Sequence, residues 1–297
     1  MKLRAGLAAI TLVAPLALSL TGPAAPSYAA TTCQGKPATI EGSTGILTGT
    51  EGDDVIVGHG TAVAVRALGG NDLICVDGND VDTGPGDDSV VSNAPAGAFT
   101  SVRLVGGHDS YVSRAGGSSQ VTVDAISSFD AVLAGGGTVQ LDPTSTPGTG
   151  TVEFGTASSQ LYAFGEKRAE VDLGAQTAGV DGLLVVTTSG LRNATATGCR
   201  VRMKGNDKNN DLDAYGHNIV VTGGGGRDLL RRVGNGFDLD LPRCGRYRSV
   251  FRGQGGSDRM SGRLGDDVLL GGPGHDVANG AGGVDTCRAE VRKNCER

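Results

Sequence analysis

Aliphatic residues fall along this chain in short groups that return every nine residues in two regions. Val55-Ile56, Leu229-Leu230 and Val268-Leu269 each follow directly on an Asp and are separated from the next group by Gly-rich stretches. Such groups supply strand-forming side chains between tight turns. Between the two regions, residues 113–198 carry Val/Thr/Ser runs such as Val121-Thr122-Val123, Thr138 to Leu141 and Leu183 to Thr188, punctuated by Gly, Asp or Pro. This pattern predicts further strands and turns, either continuing one solenoid or forming a separate β-sandwich, with a loop or hinge at Pro143 to Gly150. The tail from Thr286 to Arg297 lacks Gly. It predicts a short capping helix after Asp285 that closes the open end a solenoid must protect.

The period is nine. Gly253–Ser261, Gly262–Leu270, Gly271–Asn279 and Gly280–Arg288 run head to tail, each with Gly first, Gly fourth and Asp sixth, and Gly223–Arg231 is a fifth copy set apart by an insertion. Gly49–Val57, Ala67–Cys75, Thr83–Val91 and Leu104–Val112 are looser copies, and Gly58–Arg66 is a decayed one with Val63 in the Asp position. These units, spanning roughly residues 49–112 and 223–288, resemble the hemolysin-type or RTX calcium-binding repeat. The resemblance implies a parallel β-roll in which six residues make a turn, three make a strand and two nonapeptides make one coil.

With 18 residues per coil, Asp258 and Asp276 share one edge, Asp267 and Asp285 the opposite edge, and Asp54 and Asp72 repeat the same separation. A hard cation between coils would meet two carboxylates and several turn carbonyls, the all-oxygen set that Ca²⁺ accepts. The metal ligands expected are Asp54, Asp72, Asp88, Asp109, Asp228, Asp258, Asp267, Asp276 and Asp285. The competing account makes each Asp a cap for its own turn, and it weighs more in the N-terminal block, where Ala67-Leu68 and Leu104-Val105 replace the leading Gly pair.

Composition agrees with a turn-dominated fold. The 297 residues include 51 Gly, and the acidic residues are 25 Asp against 7 Glu. Ten Pro and no triplet Gly period exclude collagen, while 38% hydrophobic content is too high for plain disorder. Aromatics at 4% with no Trp leave a thin aliphatic core and little platform for stacking bases or sugars.

Lys2 and Arg4 precede an apolar stretch from Leu7 to Leu20, and Ser27-Tyr28-Ala29 offers small residues before a cut after Ala29. This reads as a secretory signal peptide, too short for a stable membrane span. Its removal moves the net charge from −6 to −8, which disfavours nucleic acid and other polyanions as default partners. The six cysteines then lie in an oxidising compartment and are read as disulfides; their order suggests successive clips 33–75, 199–244 and 287–295 among 15 possible connectivities. The expected organisation is a signal peptide at 1–29, degenerate repeats at 30–112, a metal-poor spacer at 113–198 and a repeat block with its cap at 199–297.

Asp207 to Asp213 imitates the start of an EF-hand loop but has Leu212 where Gly is required and Asn218 where Glu should end it, so it is read as a polar turn. There is no HExxH or GxSxG, and His59, His108, His217 and His275 are scattered, so no enzyme is expected. A polysaccharide-cleaving β-helix working through carboxylates is the enzymatic alternative. Seven arginines between Arg227 and Arg252 (Arg227, Arg231, Arg232, Arg243, Arg246, Arg248 and Arg252) are read as a solvated charged face, partly balanced by Asp228, Asp238 and Asp240. The sharper alternative is an adhesin-like site for extracellular polysaccharide or cell-wall polymer. The sequon Asn193-Ala194-Thr195 is read as an exposed loop.

Overall fold

The computed structural model describes residues 31–114, 117–124, 128–142, 147–155, 159–234 and 244–297. The leader at 1–29 therefore lies outside the described residues, as do Asp238, Asp240 and Arg243.

The described chain is all β, a parallel solenoid of about 12 turns. Each coil contributes one strand to each of two sheets, so a strand pairs with the strands one coil before and after it. Val55–Gly58 pairs in parallel with Leu73–Val76, which pairs with Ser89–Ser92 on the same sheet. Near the other end, Arg259–Leu264 pairs with Val277–Gly282, and Val268–Leu270 with Thr286–Arg288. The registers confirm the 18-residue coil, with Met260 opposite Ala278 and Leu269 opposite Cys287. Along most strands alternate residues point inward, where Ile56, Ile74, Tyr111, Leu133, Leu161, Leu212, Leu230, Phe251 and Leu269 form one continuous core.

Residues 113–198 carry on this pairing: His108–Ser113 pairs with Ser128–Leu133 and Gln160–Phe164 with Asn193–Lys204. The boundaries drawn at 112/113 and 198/199 both fall inside strands. One coil departs from the pattern. Arg168–Asp172, Thr177–Val180 and Leu184–Ser189 pair antiparallel in succession before parallel pairing resumes with Asn193–Lys204. Gly148–Phe154 is a strand, so the expected loop at Pro143 to Gly150 gives way to sheet by Gly148; residues 143–146 are outside the described set. The sequon likewise opens the strand Asn193–Lys204 and is not a loop.

The expected capping helix is absent from the tail. Thr286–Arg288 and Val291–Lys293 are strands, and the second pairs with Val277–Gly282. Aligning with an existing sheet satisfies backbone groups that a helix of one or two turns would leave partly unpaired. At the opposite end, Thr32–Cys33 and Lys36–Pro37 form a small antiparallel hairpin.

Cys33–Cys75, Cys199–Cys244 and Cys287–Cys295 are bonded, with Cα separations of 5.6, 5.1 and 5.9 Å, and no described cysteine is free. A peptide map of the non-reduced protein should therefore yield three linked pairs, each confined to one region of the solenoid. A link between Cys33 and Cys287 would contradict this architecture.

Candidate metal centre

In the nonapeptide, the second and fourth positions turn the chain. At Gly272 and Gly274 φ is +106° and +149°, and a Cβ on Gly274 would strike the carbonyl of Gly256 one coil earlier. This leaves no room for a side chain at the fourth position. The chain then enters the strand with the Asp and the residue two places on facing the same way. Asp258 and Met260, Asp267 and Leu269, Asp276 and Ala278, and Asp285 and Cys287 are all buried. The carboxylates thus stand at the corners of the core and not on the rim of the turns.

Each carboxylate links two coils. Its Oδ1 accepts the backbone N–H of the corresponding residue in the preceding coil, over 2.7–3.0 Å: Asp54 N–H donates to Asp72, Asp72 to Asp88 and Asp88 to Asp109. In the C-terminal block one ladder runs Asn210, Asp228, Asp258, Asp276, Glu290, and a second on the opposite edge runs Ser249, Asp267, Asp285, Glu296. Neighbouring fifth-position side chains bond the other way, Asn71 N–H donating to Asp53 and Val284 N–H to Asp266.

Every expected ligand belongs to one of these ladders. The step from Asp228 to Asp258 spans 30 residues because the insertion after Val233 is passed over without losing register. Four members went unrecognised in the sequence. Asn210 and Ser249 lie 18 residues before Asp228 and Asp267, a spacing that could have revealed them, and Asn210 takes the sixth position of a degenerate unit starting at Gly205. The polar turn read over 207–213 accordingly ends at Asn210, since Asp211 begins a strand. Glu290 and Glu296 lie 14 and 11 residues after their partners, outside the period, and only the folded tail reveals them.

The second oxygen sets the chemistry. Oδ2 of Asp72, Asp88, Asp109, Asp228, Asp258, Asp267, Asp276 and Asp285 is buried without a hydrogen-bond partner. In the C-terminal block it lies against the leading glycine of its own repeat, where a Cβ on Gly253, Gly262, Gly271 or Gly280 would collide with it. Asp54 differs, because Thr50 N–H and Thr50 Oγ1 donate to its Oδ2 and Thr39 Oγ1 to its Oδ1. Burial raises the Asp54 pKa, but these bonds outweigh it and hold the carboxyl below its usual value.

For most of the others, burial prevails, aided by carboxylates in adjacent coils. It pushes Asp88, Asp228 and Asp267 up to about 6 and Asp109 up to about 8, and it raises Asp72, Asp258 and Asp285. A hydrogen bond to a charged group contributes roughly 1.5–3 kcal/mol, whereas burying an ionised carboxylate costs several. The Oδ1 bonds alone cannot offset full ionisation of the ladders.

The donor set fits a hard cation. Among the described residues no three His, Cys, Asp or Glu side chains converge, so a cation here would draw on at most two such side chains together with backbone carbonyls. What the turns offer are orphaned carboxylate oxygens and backbone carbonyls, an all-oxygen donor set of the kind Ca²⁺ takes.

The Arg227–Arg252 cluster dissolves as a single surface. Arg231 is held by Asp211 and Asp213, at 2.9 and 2.6 Å. Arg232 is buried, donating to the Gly216 and Leu264 carbonyls and lying 4.6 Å above the Tyr247 ring. The solvated-face reading fails for Arg232, which occupies the interior side of its strand.

The family model of the RTX calcium-binding nonapeptide repeat, in four copies, matches residues 41–74 and 252–287. The chain therefore carries RTX calcium-binding repeats at both ends of the solenoid. The looser units 83–91 and 104–112 and the copy at 223–231 lie outside the matched segments. No curated protein matches the chain.

The raised carboxyls predict a pH dependence for the metal-free protein. An Asp whose folded pKa lies above its unfolded value of about 3.9 loses stability as pH rises between the two. Melting temperature in chelator should therefore be highest near pH 4, fall through pH 6 as Asp88, Asp228 and Asp267 ionise, and fall further towards pH 8 with Asp109. A flat or rising curve over this range would contradict the buried carboxyl assignment.

Proposed function

We propose that this is an exported calcium-binding repeat protein with a structural or interaction role, in which the Asp ladders hold Ca²⁺ and calcium uptake is coupled to folding. The observation that carries the reading is the row of eight buried, partnerless Asp Oδ2 atoms beside glycine-lined turns. A bound cation would remove the carboxylate repulsion between coils and the desolvation cost together. Coupling to folding is favoured by the small interior of the last coil, where Ala278 and Cys287 take the place of larger aliphatics. Asp228, Asp258 and Asp276 would serve one edge, Asp267 and Asp285 the other, and Asp72, Asp88 and Asp109 the N-terminal block. Asp54, already satisfied by threonines, is the weakest candidate. Export is supported by the Leu7 to Leu20 stretch behind Lys2 and Arg4, and by three disulfides. The reading assigns no catalytic residue.

The test is a calcium titration of the oxidised chain followed by circular dichroism and melting. Millimolar calcium should increase the β-sheet signal and the melting temperature, magnesium should not, and chelator should reverse the gain. Asp267→Asn or Asp276→Asn should weaken uptake by roughly tenfold or more, as expected when a buried charge partner worth at least 1.4 kcal/mol is lost. Asp130→Asn, an exposed residue of a coil without a ladder, should not. Identical melting in calcium and chelator would leave the ladders as metal-free turn formers.

A further inference from the structure

One sheet of the C-terminal half presents a cationic face in an acidic protein. Its strands are the second half of Asn193–Lys204, the second half of Asp211–Gly225, Arg248–Gly255, Val268–Leu270 and Thr286–Arg288. Their outward positions hold Arg200, Arg202, Lys204, Arg248, Arg252 and Arg288, all exposed, and no Asp or Glu. Among the described residues only Lys204 has an ion-pair partner, Asp172 at 3.5 Å.

The registers order these charges. Lys204, Thr222, Arg252, Leu270 and Arg288 form one row across the sheet, and Arg200, Asn218 and Arg248 form another. In both rows a cation stands on every second strand, about 10 Å apart at the usual inter-strand distance. Between the rows, beyond Arg202, runs a half-buried stripe of Val220, Val250 and Val268. Next to Arg202 and Lys204 the face meets a groove of about 850 Å³ shaped by the inserted antiparallel strands, where Glu170 opposite Arg202 and Asp172 opposite Lys204 mark the edge of the cationic face.

We infer that this face docks a linear anionic polysaccharide lying across the strands, with its acid groups on the two rows and the C–H faces of its sugars on the valine stripe. Charge complementarity selects an anion. The regular two-strand interval suits an extended pyranose chain, whose residue length is close to the strand spacing, carrying an acid on alternate sugars. Single-stranded nucleic acid fits less well, because no outward position of these strands is aromatic and none can stack a base. The face is built from strands and not from the Asp turns, so the inference is independent of the calcium reading.

The test uses the full mature chain in calcium buffer, with hyaluronate as the probe because it carries one carboxylate on every second sugar, and neutral dextran as the uncharged chain. Hyaluronate should bind, dextran should not, and raising sodium chloride from about 50 to about 300 mM should weaken binding as screening shortens the reach of the charges. Arg248→Glu, Arg252→Glu and Arg288→Glu together should weaken binding by roughly tenfold or more. Arg259→Glu, Arg292→Glu and Lys293→Glu, the same charge change placed elsewhere, should have little effect. Melting in calcium checks that both triple variants are folded, and the salt dependence of the unaltered chain stands even if one is not. Equal loss in both triples, no binding by the unaltered chain, or preference for phosphatidylserine vesicles or single-stranded DNA over hyaluronate would overturn the inference. A chain that binds hyaluronate yet shows no calcium-dependent melting would overturn the calcium reading alone.

Discussion

The structure depends on a carboxylate that belongs to two coils at once. Each ladder Asp of the C-terminal block leaves the turn pointing inward, gives one oxygen to the peptide N–H of the coil before it, and keeps the other beside its own leading glycine. The first oxygen fixes register between coils, while the second is an electrostatic debt, a buried charge with no partner. In that block the leading glycines belong to the same arrangement, because a side chain there would occupy the space of that oxygen, whereas the N-terminal ladder accommodates Ala67, Thr83 and Leu104 at the same position.

Where the ladders lapse, the interior changes. The middle coils fill their core with Phe129, Leu133, Leu141, Phe154 and Leu161, larger side chains than the Ala278 and Cys287 of the last coil. Full burial of a large aliphatic or aromatic contributes about 1.5–3 kcal/mol, so these coils rest on apolar packing without ladders, whereas the terminal blocks add the ladder bonds to a core that includes Ile56, Ile74, Phe251 and Leu269. One scaffold thus uses two sources of cohesion along its length.

The repeat period made the coil, the two sheets, the Asp positions and the sharing of edges legible, because a fixed 18-residue interval converts directly into stacking. The disulfide order was legible for a similar reason, since each pair joins adjacent parts of a solenoid. What escaped was set by contacts outside the period. Glu290 and Glu296 complete the ladders from a tail with no glycine, so sequence suggested a helix there. Arg232 looks like one member of a basic run until strand alternation turns it inward. The exposed cations of the opposite sheet are scattered in sequence from Arg200 to Arg288 and gather only through inter-strand register.

The hydrogen bonds of the ladders all point the same way along the chain. Each laddered coil of the C-terminal block receives the acceptor for its sixth-position N–H from residues synthesised later, so that block, emerging amino end first, presents an incomplete last coil until the tail arrives. Glu290 and Glu296 end that dependence, and the Cys287–Cys295 bond holds the segment that bears them. The final dozen residues therefore act as a latch that supplies the last acceptors of both C-terminal ladders, and these residues are the last to be synthesised.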